Sequence, residues 1–227
     1  MLDLSPLWIS IKTAFTATFI VFFLGIAVAW FMSRYKGKIR GLLDAIFTLP
    51  LVLPPTVVGF ILLIIIGKNS PIGKGLSHIG INIIFTWSAT VIAATIVAFP
   101  LMYRTCLGAF GQIDINMLNA ARTLGVSEWK LFWKVAVPLA WPGIASGTTL
   151  SFARALGEFG ATLMVAGSIP GKTQTIPIAI YFAVESGENN AAIMWVSFIF
   201  IISLVVMVLT EKWTEKQYFI VSSARRK

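Results

Sequence analysis

The chain has 227 residues, of which 57% are hydrophobic and 12% charged, with a formal net charge of +9. Soluble domains carry about 25% charged residues, so this chain lacks the ionised surface to clothe a water-borne fold of its size, and its composition implies a helix bundle in lipid. The single cysteine, Cys106, excludes an intrachain disulfide, and the single histidine, His78, has no cluster of ligand-type residues around it, which argues against a metal site. The basic surplus flanks apolar runs rather than forming one face, a pattern of membrane topology rather than of nucleic-acid binding.

A helix needs about 20 apolar residues to cross the hydrocarbon core. Residues 13–33 predict the first span. Ala27-Val28-Ala29 has the form of a signal cleavage site, but Asp3 precedes the run, Lys12 is the one base ahead of it, and a basic cluster follows, so the segment is expected to remain as a span. Residues 45–67 predict the second span. Its Pro50, Pro54 and Pro55 imply either a helix start at the interface or a kink beside a pathway. Residues 79–103 predict the third.

A fourth span begins at Val135 and runs to about Gly167, interrupted by Arg154 and Glu158. Four residues apart, these two share a helix face, either as a structural ion pair or as part of a pathway. Gly143, Gly147, Ala153, Gly157 and Ala161 recur along the same segment and permit close helix approach, inside the core or between two copies. Residues 173–184 are apolar but too short to span, which fits a half-inserted or surface segment. Residues 189–210 predict the fifth span.

Basic residues assign the sides. Arg34, Lys36, Lys38 and Arg40 follow the first span. Arg104, Arg122, Lys130 and Lys134 follow the third, and Lys212, Lys216, Arg225, Arg226 and Lys227 follow the fifth. The other side holds Lys12, Lys68, Lys74 and Lys172. The asymmetry places the N-terminus outside and the C-terminus in the cytoplasm, and makes residues 104–134 a cytoplasmic loop within a single domain of residues 1–227.

That loop carries helix punctuation. Asp114 is placed to cap a helix starting at Ile115, with Met117, Ala121 and Leu124 on one face. Gly125 suits the left-handed position that ends a helix. Ser127 is placed to cap a second helix with Glu128 in its first turn and Trp129, Phe132, Trp133 and Ala136 as its apolar stripe. The expected shape is a stiff knuckle beneath the membrane.

The run Asn119-Ala120-Ala121-Arg122-Thr123-Leu124-Gly125, followed by Val135-Ala136-Val137-Pro138, resembles the E-A-A loop of ABC importer permeases. The family pattern is Glu-Ala-Ala, three residues, Gly, nine residues, then Ile-x-Leu-Pro. Asn119 stands where Glu is usual, and Val135 and Val137 stand for Ile and Leu. The resemblance implies an all-α, type I importer permease in which Asn119, Ala120, Ala121, Arg122, Thr123, Leu124, Gly125 and Pro138 couple to a separate ATPase subunit. The chain lacks a phosphate loop of its own. Gly171-Lys172-Thr173 would supply its end, but Ala166 occupies the position of the required first glycine. No catalytic residue and no bound cofactor are therefore expected here; ATP and Mg belong to the partner.

The segment from Ser151 through Ala153-Arg154-Ala155-Leu156-Gly157-Glu158-Phe159-Gly160-Ala161-Thr162, and the later Ile169-Pro170-Gly171-Lys172-Thr173-Gln174-Thr175-Ile176-Pro177, resemble the molybdate permease family. Sulfate permeases share the Ala-Arg-x-x-Gly-Glu core but usually carry Tyr-Gly-Ser at Phe159-Gly160-Ala161. The resemblance implies a permease homodimer in a bacterial or archaeal cell membrane, two ATPase subunits, and an extracytoplasmic binding protein that delivers molybdate. Arg154, Glu158 and Thr162 are the translocation or gate candidates. A sulfate, thiosulfate or tungstate permease is the nearest alternative. An ion-coupled secondary transporter is a more distant one, for which Glu158 is the available intramembrane carboxylate.

Overall fold

The computed structural model describes residues 3–224, with side chains through Val208. The side chains of Lys212 and Lys216, and residues Arg225, Arg226 and Lys227, on which the inside assignment of the C-terminus partly rests, lie outside the described residues. Among the described residues the fold is all-helical.

Three helices form the centre: α1 (Ser5–Arg34), α5 (Trp87–Gly111) and α8 (Val137–Leu156). They meet through small residues. Ala14, Ala17 and Ala29 of α1 and Ala94 and Ala98 of α5 are fully buried, and Met102, Tyr103 and Cys106 fill the space between them. Gly143 and Gly147 turn out to serve this internal contact. A methyl group on Gly143 would sit 2.4 Å from Ala109 Cβ, and one on Gly147 would sit 3.2 Å from Thr105 Cβ. Ala153 and Gly157 are exposed, so the small-residue stripe does not continue as one face.

Three of the five expected spans differ from the hydropathy reading. Residues 45–67 are not one helix but two, α2 (Arg40–Val52) and α3 (Pro55–Ile66), bent by 116°. Pro54 and Pro55 cause the break, since neither has an N–H to continue a helix and each drives the residue before it into extended backbone. Leu53 accordingly has ψ 141° and Pro54 ψ 136°.

The third span starts eight residues later than residues 79–103 imply and ends at Gly111, which places Arg104 inside α5. A short helix, α4 (Pro71–His78), comes first, capped where Ser70 Oγ accepts the Gly73 N–H at 2.8 Å. Residues 79–86 then turn through positive φ at Gly80 and Phe85. The Phe85 N–H donates to the Val165 carbonyl at 3.1 Å, and Ile83 and Ile84 pack beside it. The apolar character of this segment thus serves packing, not helix.

The fourth span is also broken. α8 ends at Leu156, and α9 (Gly160–Ala166) resumes after Gly157, Glu158 and Phe159. α9 packs on α3 around Val58, Leu62, Ala161 and Val165. α10 (Ile176–Glu185) is the short apolar segment, tied to the start of α1 where the Ile176 N–H donates to Ser10 Oγ at 2.7 Å. α11 (Asn189–Ala224) is the last span. Among the described residues α1, α5 and residues 189–208 are unbroken helices long and apolar enough to cross a membrane.

The contact between the two broken spans is tight at Gly59. A methyl group there would lie 2.8 Å from Ala161 Cα and 2.7 Å from Met164 Cβ. Backbone on the far side has no room to yield, so Gly59→Ala is expected to destabilise the protein by about 1–3 kcal/mol through overpacking. Thermal unfolding in detergent checks this, with a lowered midpoint as the expected outcome.

Candidate coupling hairpin and buried ion pair

The hairpin is built from α6 (Ile115–Thr123) and α7 (Glu128–Leu131), followed by a π-helical turn, Phe132–Ala136, that feeds α8 with Pro138 in its first turn. Each end is closed by the side chain its position implies. Asp114 Oδ1 accepts the Asn116 N–H at 2.8 Å. Ser127 Oγ accepts the Lys130 N–H at 3.5 Å. Gly125 adopts φ +75°, and the N–H groups of Gly125 and Val126 donate back to the Arg122 and Ala121 carbonyls at 2.9 and 3.2 Å. These bonds satisfy carbonyls that the end of α6 would otherwise orphan. Residues 104–111 belong to α5, so the hairpin proper starts at Gln112.

Anchoring comes from Leu118, Leu131 and Phe132, which are buried. Phe132 packs at a tilt against Trp30 and Phe110 at centroid separations of 5.2 and 6.4 Å. The predicted stripe therefore splits: Phe132 and Ala136 face the core, whereas Trp129 is 72% exposed. Leu124 is 83% exposed at the tip, with Met117 and Ile115 also bare. A stiff element thus offers an apolar surface at the end of the bundle that carries Arg34.

A charge cluster that sequence spacing does not reveal holds the hairpin. The Glu128 carboxylate accepts from Arg122 Nε at 2.8 Å through Oε1 and from Arg34 Nη1 through Oε2. Arg122 Nη1 also donates to Asn119 Oδ1 at 2.8 Å. Hydrogen bonds from Arg122 and then Arg34 hold the Glu128 carboxyl below the usual carboxylate range. The cluster is therefore charged at neutral pH and is lost only as acidification passes through that lowered value. A second contact joins α2 to α5: Tyr103 donates to Asp44 Oδ1 at 2.8 Å, and Arg104 Nη2 lies 3.4 Å from Asp44 Oδ2.

Arg154, Glu158 and Thr162 come together at the break between α8 and α9. Glu158 is 2% exposed. Its Oε1 accepts the Ala161 and Thr162 N–H groups at 2.7 and 3.4 Å, so it caps α9. Arg154 Nη1 lies 2.9 Å from Oε2, an ion pair without hydrogen-bond alignment. Thr162 is buried, and the Arg154 side chain is 27% exposed. Among the described residues no group of His, Cys, Asp or Glu could hold a metal ion. A groove of about 750 Å³ between α1, α8 and α11 is lined mainly by aromatic residues, Phe15, Phe19, Phe22, Trp141 and Phe152 among them, with Thr16, Thr18, Thr148 and Thr149, and has no charged wall.

Broken spans around a tight three-helix centre, with a capped apolar hairpin at one end, characterise the fold. The fold is shared with the protein described as the MetNI methionine ABC transporter in inward-facing conformations, at TM-score 0.72 and 16% identity, covering 95% of this chain and 96% of that one. Residues 21–212 match the family described as binding-protein-dependent transport system inner membrane component, and the chain belongs to that family. It is a multi-pass inner-membrane protein. YvgM of Bacillus subtilis strain 168, provisionally named a molybdenum transport system permease protein, is 49% identical over 204 residues, 89% of this chain and 90% of that protein. ModB of Escherichia coli K12, named a molybdenum transport system permease protein, is 40% identical over 220 residues, 94% of this chain and 95% of ModB. CysT of Chlorokybus atmophyticus, provisionally named a sulfate transport system permease protein, is 35% identical over 199 residues, 88% of this chain and 70% of CysT.

Proposed function

We propose that the chain is the membrane permease of an ATP-driven importer for molybdate, working as a homodimer with two ATPase subunits and an extracytoplasmic binding protein. The observation that carries the reading is 40–49% identity across nine-tenths of the chain to permeases named for molybdenum transport. The hairpin supplies the mechanism. ATP and Mg act in the ATPase pair, whose closure moves Asn119 to Gly125. Stiffness is needed here, because a flexible loop would absorb the movement instead of passing it to the spans. The spans then open outward, accept the anion from the binding protein, and release it to the cytoplasm. With the N-terminus outside, the hairpin and Arg34 lie on the cytoplasmic side, as the basic residues favour.

Arg154 is the candidate pathway cation, with Glu158 and Thr162 fixing the helix break from which it projects. Sulfate is the second reading, favoured by the likeness to CysT. Molybdate and sulfate are both tetrahedral dianions, so discrimination falls to the binding protein. Uptake of labelled molybdate in cells with and without this chain tests the proposal. Accumulation that depends on the chain and is displaced by tungstate before sulfate is the expected outcome. Accumulation displaced by sulfate first would replace molybdate with sulfate.

A further inference from the structure

The end of α1 and the hairpin are remote in sequence, yet one carboxylate binds both. Glu128 accepts from Arg122 on α6 and from Arg34 in the last turn of α1, across 94 residues. Arg34 is placed to receive a force. Its guanidinium lies 3.5 Å over the Trp30 ring, and Trp30 packs on Phe110 of α5 and on Phe132 beyond α7. Nε and Nη2 of Arg34 are buried without hydrogen-bond partners, so loss of Glu128 would strip this guanidinium of its carboxylate. Arg122 is bound at its other end to Asn119, at the start of the Ala-Ala pair.

We propose that Glu128 is a positioning residue that clasps the coupling hairpin to α1, so that movement of α6 reaches the central helices as one rigid step. The clasp rests on the reading of the hairpin as the ATPase-coupling element. Its part is transmission rather than folding. Glu128 is 57% exposed, and exposed ion pairs add little to stability. The hydrophobic anchors Leu118, Leu131 and Phe132 hold the hairpin in place without it. Leu118 is the one buried residue of α6, and the carboxylate bridge from Arg122 to Arg34 adds a second tie between that helix and the end of α1.

Glu128→Gln keeps the side chain's size and removes its charge. In proteoliposomes holding the complete complex, the ATPase subunit is expected to co-purify and to hydrolyse ATP, while molybdate imported per ATP falls about 5-fold or more, the low end for coupling between distant sites. Nitroxide labels at K36C, just beyond α1, and N116C, exposed on α6, report the geometry, since the native Cys106 is buried and spared from labelling. The inter-label distance is expected to stay narrow in nucleotide-free and ATP-trapped states, and to broaden in E128Q. An E128Q complex with unchanged transport stoichiometry and a narrow distance distribution overturns the clasp. Loss of the ATPase subunit from E128Q makes Glu128 a docking residue and also overturns it. Failure of the underlying coupling reading looks different: the ATPase subunit would not bind the unsubstituted chain.

Discussion

Gly125→Val is expected to lower transport by about tenfold or more while the chain still inserts at full length. Gly125 has φ +75°, and a Cβ built there meets nothing within 4 Å. The penalty is thus conformational, not steric. A left-handed L-residue costs about 1–2 kcal/mol, and a β-branched one more, because its side chain crowds the backbone on both sides. Relieving that strain means unwinding the turn, which breaks the bonds from the Gly125 and Val126 N–H groups to α6. The tip carrying Leu124 then loses its fixed relation to α7. A cost near 1.4 kcal/mol, set against docking, is about one decade in occupancy, while the membrane core, remote from this loop, is untouched. Gly125→Asn is the matched control, since asparagine tolerates the left-handed region. ATP hydrolysis and uptake in proteoliposomes should be near the original values for the asparagine variant and depressed together for valine. A valine variant that transports at the original rate would remove the turn from the coupling mechanism.

The hairpin was legible in the sequence because its determinants are local. Asp114, Gly125 and Ser127 each act on backbone within three or four residues, so residue type and spacing suffice. The bend in the second span was half legible: Pro54 and Pro55 announce a break, but hydropathy counts them within one apolar run. The start of α5 was not legible, because apolar residues that pack in a turn around Phe85 score like those in a helix. Small residues at Gly143 and Gly147 announced close approach without naming the neighbour, and α5 could be identified only from the fold. The Glu128 clasp had no signal in spacing, since Arg34 lies 94 residues away. Glu158 was readable as the partner of Arg154, yet its capping role depends on the break after Leu156, which the run of apolar residues concealed.

That capping role sets the second large effect. Glu158→Leu removes the acceptor for two N–H groups of α9 and the anion beside Arg154. Breaking a buried pair by deleting one partner costs about 3–5 kcal/mol; with Arg154 27% exposed, the lower end applies. Glu158→Gln keeps an oxygen for Ala161 and Thr162 and loses only the charge, for which about 1–2 kcal/mol is the scale. The thermal midpoint in detergent should therefore fall in the order original, glutamine, leucine. Glu158→Gln combined with Arg154→Gln should cost less than the sum of the two single changes, because the two groups interact directly. The same pair of variants separates the two transport classes. If Glu158 is a structural anion, the glutamine variant still imports at a reduced rate, driven by ATP and indifferent to an uncoupler. If it carried protons for a secondary transporter, glutamine would abolish transport while leaving the fold stable. A leucine variant as thermostable as the original would show that the α8–α9 break is held by something other than this carboxylate, and the structural reading of Glu158 would fail.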